Sequence, residues 1–276
     1  MSFKTLAELT LKILEQGSYQ TPTGKIVSFD LTPAVAGTRL YTPQQAKALL
    51  ELEQSKTSST NNTQITVTSE KTQAAAKRLV QDEGLDNLVL LNFASARNPG
   101  GGFIGGARAQ EEDLCRCSGL YSCLMPQTAY YAANRAQDSL LYTDHLIYSP
   151  QVPWFRQDNN DLLEQAYYAS VITAPAPNAG QVLLKNQASV QAIYQTLHYR
   201  AGLVLAIAKA HQHENLLLGA WGCGVFKNDP QQVAQAFADW LAQPQFKTCF
   251  KKICFAVYTV GKNNANLLAF QRQFIA

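Results

Sequence analysis

The amino-acid sequence predicts an α/β fold in which helices cover both faces of a sheet. From about residue 60 onward, apolar segments of strand length alternate with segments of helical periodicity. One strand, at residues 88–93, is almost wholly apolar, which is typical of a strand buried on both faces. The chain shows neither an internal repeat nor a strong linker. We therefore expect one compact unit, with residues 1–60 as a helical accessory region and residues 61–276 as the main domain.

The predicted accessory region contains two helices and a short strand. The first helix spans residues 5–16, where leucines form an apolar face, and Gly17 ends it. A strand is predicted at residues 25–29. Thr42 and Pro43 then begin a second helix, because threonine is a favoured N-cap and proline suits the first turn. Residues 55–63, rich in serine, threonine and asparagine, are predicted to form an exposed loop.

The predicted main domain continues the alternation to the end of the chain. Strands are expected at residues 64–68, 88–93, 145–148, 169–174, 216–220 and 253–258, and helices at 70–83, from about 112, at 190–211 and at 230–241. In open α/β sheets a ligand binds beyond the carboxyl ends of the strands. Glycine-rich segments follow the strands that end near Phe93 and Ala220, so we expect both segments at the same edge of the sheet.

Composition excludes several classes of protein. The net charge of +3, without basic residues interleaved with aromatic ones, argues against a nucleic-acid-binding protein. No apolar run is long enough to span a bilayer and the start lacks a signal-peptide core, so we expect a cytoplasmic protein with no membrane partner. The six cysteines show neither a secreted-domain nor a zinc spacing, which predicts reduced thiols and no bound metal.

The first glycine-rich segment, at residues 98–112, is the most informative part of the sequence. It carries one asparagine, then five glycines and then three polar residues, in the order Asn98, Gly100, Gly101, Gly102, Gly105, Gly106, Gln110, Glu111 and Glu112. Its spacing matches neither the P-loop nor the dinucleotide fingerprint. Glycines are costly unless backbone must approach a ligand closely, so we expect amide groups of this loop to face an anion.

The acidic residues that follow the glycines have two possible interpretations, one structural and one catalytic. Glu111, Glu112 and Asp113 would be favoured by the dipole at the start of a helix, by about 0.3–1 kcal/mol each. Neighbouring carboxylates also repel each other, which raises the pKa of one of them, as a general acid requires. Glu112 beside a glycine loop could protonate a leaving oxygen and later activate water.

The second glycine-rich segment, at residues 219–230, again leads from a strand into a helix. Asp229 is predicted as the N-cap and Pro230 as the first helical residue. Phe226 could stack on a ribose or base, or it could anchor the loop in the core. Cys223 has no histidine at a suggestive spacing, so we interpret it as a packed thiol and not as a nucleophile.

These motifs resemble the poly(ADP-ribose) glycohydrolases, whose signature is GGG-X6–8-QEE. Gly100–Gly102 followed by Gln110–Glu112 matches that signature, and residues 92–99 and 219–230 look like the bacterial-type branch. The resemblance covers residues from about 60 onward and implies a macrodomain-like catalytic domain at 61–276, with a mixed sheet sandwiched by helices and an N-terminal helical portion.

The resemblance also implies an activity and a role for each matching residue. The reaction would be hydrolysis of the ribose–ribose bond of poly(ADP-ribose), exo-acting as in the bacterial type, with ADP-ribose as product and no cofactor. Glu112 would be the acid and base, and Glu111 would hold ribose hydroxyls. The implied substrate contacts are Asn98, Gly100, Gly101, Gly102 and Gln110, and the diphosphate loop consists of Gly222, Cys223, Gly224, Val225 and Phe226.

Two other functions compete with this one. The same pocket could remove a single ADP-ribose from a modified protein or nucleic acid. A non-catalytic ADP-ribose-binding module is the other alternative, although such a module is expected to have lost the catalytic carboxylate, and both glutamates are present. For the preferred function, the expected partners are poly(ADP-ribose) or an ADP-ribosylated protein, and the expected state is a monomer.

Overall fold

The computed structural model describes residues 1–55, 62–259, 261 and 264–275. The strands are β1 (Ser18–Gln20), β2 (Ile26–Ser28), β3 (Arg39–Tyr41), β4 (Gln64–Thr68), β5 (Leu88–Phe93), β6 (Leu146–Arg156), β7 (Leu162–Ala174), β8 (Asn215–Gly219) and β9 (Lys252–Ala256). The helices up to the middle of the chain are α1 (Phe3–Gln16), α2 (Thr32–Gly37), α3 (Pro43–Ser55), α4 (Thr72–Lys77, continued by a π-helical segment Arg78–Asp82), α5 (Gln110–Cys117), α6 (Leu120–Leu124) and α7 (Thr128–Arg135). They are followed by α8 (Ala179–Leu184), α9 (Val190–Ala210), α10 (Pro230–Leu241), α11 (Pro244–Lys247) and α12 (Ala265–Phe274).

The main sheet is mixed but mostly parallel, which confirms the predicted fold class. Its seven strands lie in the order β3-β6-β7-β5-β8-β9-β4. The run from β7 to β4 is parallel throughout, while β6 pairs antiparallel with β7 and β3 pairs antiparallel with β6. Because β5 and β8 are parallel neighbours, the two glycine-rich segments that follow them leave the same edge of the sheet, as predicted.

Helices cover both faces of the sheet, and the central strands show how. In β5, Val89 and Leu91 belong to the core cluster under α3, α9 and α10, whereas Leu88 and Leu90 belong to the cluster under α4 and α5. Successive residues of a strand point to opposite faces, so an unbroken apolar run fills both cores at once. Among the described residues, no helix is both long enough and apolar enough to cross a bilayer.

The first 55 residues form three short strands as well as helices. Helix α1 starts at the N-cap Ser2 and ends at Gly17, which adopts a left-handed backbone (φ +63°). A hairpin of β1 and β2 follows, and β3 extends the main sheet by pairing with β6. Helix α3, which begins at Pro43 after a reciprocal bond pair between Thr42 and Gln45, packs on α9. The predicted loop at 55–63 falls mostly on residues 56–61, outside the described residues.

Several elements differ from the sequence prediction for identifiable reasons. Strands β1 and β3 and helix α2 were not predicted, because elements of three to six residues are too short to show a periodicity. Strands β6 and β7 are longer than predicted and form an irregular antiparallel pair in which the register shifts between Ser149 and Val152, next to Pro150. Helices α6, α7, α8, α11 and α12 were also not predicted.

Candidate active site

A cavity of about 1020 Å³ lies beyond the carboxyl ends of the parallel strands. The segments that leave β5, β8, β9 and β4 all contribute to its lining, so it occupies the expected ligand position of an open α/β sheet. Its volume is at the upper end of the range for small-molecule sites, roughly 300–1,000 Å³. Both glutamates of the first glycine-rich segment line this cavity.

Gln110 anchors the start of α5 to the end of β5. Its side-chain oxygen accepts a hydrogen bond from the Phe93 N–H (2.8 Å), and its side-chain nitrogen donates to the Leu91 carbonyl (2.8 Å) and to Thr72 Oγ1 (3.2 Å). The amide therefore continues the strand's hydrogen bonding and fixes the helix start relative to the sheet. Gln110 lines the cavity, but its polar atoms are already used by protein groups.

Glu112 lies in the first turn of α5 with one carboxylate oxygen held by the backbone. Its Oε1 accepts a hydrogen bond from the Gly102 N–H (2.8 Å), and its side chain is largely buried. Within the part of the chain that the structure describes, no protein donor contacts its Oε2. The carboxylate is thus fixed in orientation while one oxygen stays available to a molecule in the cavity.

Glu111 is held by protein groups through both oxygens. Oε1 accepts a hydrogen bond from Asn92 Nδ2 (3.1 Å), and Oε2 accepts one from the Ser95 N–H (2.7 Å). Burial raises the pKa of Glu111 to about 8, against the lowering effect of these two donors, and the charge of Glu112 adds to the rise. Sequence reasoning expected a raised pKa on one of the two glutamates, and desolvation places it on Glu111.

The glycines of the first loop make room for Glu112 and for buried side chains. Gly101 has φ +57°, and a Cβ there would collide with the Glu112 carboxylate. A Cβ on Gly102 would lie 2.7 Å from the Ala107 side chain. Gly100 faces the interior, where a Cβ would lie 2.9 Å from the Tyr121 ring. Gly101 and Gly102 line the cavity, and Gly100 does not.

Most amides of this loop bond to protein groups, which corrects the expectation that they face a ligand anion. The N–H groups of Gly101, Phe103, Gly105 and Gly106 donate to carbonyls of the same loop, and that of Gly102 donates to Glu112. The loop is a chain of tight turns that closes on itself. Its glycines serve to hold a carboxylate close to the backbone.

The second loop has the free amides that the first one lacks. Asn228 ties it down, since its side chain donates to the carbonyls of Pro177 (2.8 Å) and Gly222 (3.1 Å). Gly222 has φ +73° and packs directly against Asn228. Among the described residues, no protein acceptor contacts the N–H groups of Gly224, Val225 and Phe226. Three successive free amides at the cavity suit a phosphate group.

The remaining predicted residues of the second loop differ in what they face. Val225 is 77% exposed although apolar, and it lines the cavity. Phe226 also lines the cavity and lies 6.1 Å, centroid to centroid, from Tyr142. Cys223 lies beside a separate, smaller cavity, and burial raises the pKa of its thiol, which agrees with the interpretation as a packed thiol.

The sequence also predicted Asp229 as a helix N-cap and Asn98 as a substrate contact. Asp229 caps α10, as predicted, by accepting the Gln231 N–H (2.8 Å). Asn98 is exposed at the cavity.

Other lining residues were missed because they come from distant parts of the chain. They are Phe3 from α1, Lys71, Thr72 and Gln73 after β4, Arg97 just before the first glycine-rich segment, Arg108 within it, Tyr142 before β6, and Tyr258 and Asn266 after β9. Only the two arginines adjoin a motif that sequence reasoning had singled out. All six cysteines are free thiols, and the described residues contain no group of three His, Cys, Asp or Glu side chains that could hold a metal ion.

Comparison with known proteins gives a consistent result. Residues 7–157 match the family described as microbial-type PARG, catalytic domain. A poly(ADP-ribose) glycohydrolase from Thermomonospora curvata bound to the inhibitor ADP-HPD is 45% identical, with a TM-score of 0.90 over 99% of both chains. A further structure of that enzyme is 43% identical, with a TM-score of 0.92 over 99% of both chains.

A second organism supplies a similar structure. Poly(ADP-ribose) glycohydrolase from Deinococcus radiodurans in complex with ADP-ribose is 48% identical, with a TM-score of 0.82 over 88% of this chain and 96% of its own. The comparison with curated proteins finds no significant match.

Proposed function

The chain belongs to the microbial-type poly(ADP-ribose) glycohydrolase family, and we propose that it hydrolyses the ribose–ribose O-glycosidic bond of poly(ADP-ribose) to release ADP-ribose. Related enzymes from two organisms have been crystallised with ADP-ribose or with the inhibitor ADP-HPD. The observation that carries the proposal for this chain is the Glu112 carboxylate, fixed by one oxygen and open to the cavity by the other.

That geometry supports acid–base catalysis by Glu112. In its protonated form, the open oxygen would donate a proton to the ribose oxygen of the leaving chain as the bond from that oxygen to the anomeric carbon breaks. A water molecule would then attack the anomeric carbon and give a proton back to the same carboxylate. One group serves both half-reactions because the hydrogen bond from Gly102 holds it in place throughout.

Glu111 supports the reaction in a different way. Both of its oxygens already accept bonds from Asn92 and Ser95, so it is less suited to exchange a proton with substrate. With a pKa of about 8 it is mostly neutral at neutral pH. We propose that Glu111 orients the ribose hydroxyls next to Glu112.

We propose that the diphosphate of the terminal unit binds the free amides of Gly224, Val225 and Phe226. Phe226 would then contact the distal ribose, and Asn98 would contact the terminal ribose at the other side of the cavity. The finer properties are proposals of the same kind. They are a macrodomain-like catalytic domain at residues 61–276, exo cleavage, a monomeric state, and action in the cytoplasm, where six free thiols are compatible with a reducing environment.

The deciding experiment is incubation of the purified protein with poly(ADP-ribose), followed by chromatographic identification of the products over time. Monomeric ADP-ribose as the earliest product supports exo cleavage, whereas early short oligomers would show endo cleavage. A mono-ADP-ribosylated protein serves as the parallel substrate. Release of ADP-ribose from that protein but not from the polymer would overturn the proposal in favour of a mono-ADP-ribosyl hydrolase.

A further inference from the structure

The side chain of Phe3, at the start of α1, lines the cavity and contacts two arginines. The guanidinium carbon of Arg108 and that of Arg116 each lie 4.5 Å from the centre of the Phe3 ring. Arg116 is 1% exposed, donates to the Ala107 carbonyl (2.8 Å) and pairs with Asp113. The position of the Arg116 guanidinium is therefore fixed, and its contact with the ring restrains Phe3 in turn.

Arg108, the other arginine in contact with Phe3, is available to a ligand. It is exposed, it lines the same cavity as Glu112, and among the described residues it pairs with no carboxylate. Arginine side chains lose considerable rotamer freedom on binding, and an aromatic stack that restrains one beforehand reduces that loss. Its planar guanidinium also suits bidentate contact with phosphate oxygens.

Arg108 is one of three cations at the cavity that pair with no carboxylate in the part of the chain that the structure describes. Arg97 and Lys71 also line it, and neither forms an ion pair with a described carboxylate. Of the acidic residues that line the same cavity, Glu70 pairs with Arg78 and Asp113 pairs with Arg116, so the three cations remain available to an anionic chain. A single ADP-ribose carries one diphosphate, which the amides of residues 224–226 can accommodate.

We infer that Arg108, held by Phe3, binds the diphosphate of the ADP-ribose unit next to the one being released, on the leaving side of the scissile bond. This inference rests on the proposed function and adds a subsite for the leaving chain. Phe3 acts as a positioning residue, because its ring is in contact with the guanidinium groups of both Arg108 and Arg116. The α1 helix thereby becomes part of the polymer-binding surface.

The test measures binding separately from turnover. In the Glu112→Gln background, dissociation constants are measured for poly(ADP-ribose) of uniform chain length and for ADP-ribose, at low and high salt. The compared variants are Arg108→Gln and Phe3→Ala. The matched control is Lys12→Gln, which removes an exposed positive charge from α1, the helix of Phe3, at a position that does not line the cavity. The same substitutions in the wild-type background give KM and kcat for the polymer.

Arg108→Gln should weaken polymer binding about three- to tenfold, the range for one charge-assisted contact at the edge of a site, and leave ADP-ribose binding unchanged. It should also reduce the salt dependence of polymer binding. Phe3→Ala should act in the same direction and Lys12→Gln should have no effect.

Equal weakening for both ligands would place Arg108 on the terminal unit and overturn the inference. Unchanged polymer binding, or an equal effect from Lys12→Gln, would overturn it too. A wild-type protein that binds polymer without releasing ADP-ribose would refute the proposed function while the binding comparison still decides the subsite.

Discussion

Replacing Glu111 with glutamine should remove most of a pH dependence from the stability of the free protein. The pKa of Glu111 is about 8 in the folded protein and 4.5 ordinarily, because burial disfavours the charged form. Between these values the folded protein keeps a proton that the unfolded chain releases. The free energy of unfolding then falls as pH rises, by at most about 1.4 kcal/mol per pH unit for one proton. Over the whole window the loss is on the order of a few kcal/mol.

Glutamine can take the place of the protonated acid and keep its hydrogen bonds to Asn92 and Ser95, while one buried atom of the Asn92 amide is unpaired before and after the change. Its side-chain oxygen can accept the Ser95 N–H, and its side-chain nitrogen then faces Asn92. The Asn92 oxygen is buried and has no hydrogen-bond partner. A rotation of that amide by half a turn brings its oxygen toward the new donor, and Thr173 can switch from accepting to donating because a hydroxyl does both. Glu111→Gln should therefore fold normally.

The assay is urea denaturation from about pH 5 to about pH 9 for the wild type, Glu111→Gln and Glu8→Gln, where Glu8 is an exposed glutamate of α1. At the low end of this range, near pH 5, stability should be similar for all three. As pH rises toward 8, Glu111→Gln should become progressively more stable than the wild type, whereas Glu8→Gln should follow the wild type. A difference between Glu111→Gln and the wild type that stays constant over this range would refute the reasoning, and so would one that shrinks.

Three further predictions concern the reaction and the ligand. Glu112→Gln keeps the bond from Gly102 but loses the transferable proton, so polymer hydrolysis should fall by at least about 10³–10⁴-fold while ADP-ribose affinity stays within about tenfold in calorimetry. Near-normal turnover would show that Glu112 is not the acid. Gly224→Val should weaken ADP-ribose binding at least about tenfold without loss of stability, since nothing lies within 4 Å of a Cβ there, whereas Gly101→Ala should reduce stability because it displaces Glu112. Unchanged affinity in Gly224→Val would move the diphosphate elsewhere. Treatment with a chelator should not reduce turnover, and a loss restored by a divalent cation would contradict this expectation.

Much of the fold and of the site could be predicted from the sequence because the signals are local. The unbroken apolar run Leu88–Phe93 predicts a strand buried on both faces whatever its neighbours are. Asp229 before Pro230 predicts a capped helix start, and the structure has one there. Glycine-rich segments after two parallel strands must leave the same edge of a sheet, so their proximity followed from topology alone.

Strands and helices of only a few residues show no local sequence pattern of this kind. Strand β3 has three residues and takes its place in the main sheet only because β6 offers an edge to pair with. The hairpin of β6 and β7 was underestimated because prolines interrupt its sequence pattern, while its irregular register accommodates them.

The working parts of the site were decided by the tertiary structure. Sequence reasoning assigned anion-binding amides to both glycine loops, but most amides of the first loop bond within the loop and to Glu112, and the run of three free amides lies in the second loop. The pKa of Glu111 is raised by burial, which outweighs the lowering effect of the hydrogen bonds from Ser95 and Asn92. Phe3 reaches the cavity from the far end of the chain. Local patterns determine which backbone forms, whereas desolvation and hydrogen-bond partnership depend on which distant residues pack together, and no local pattern contains that information.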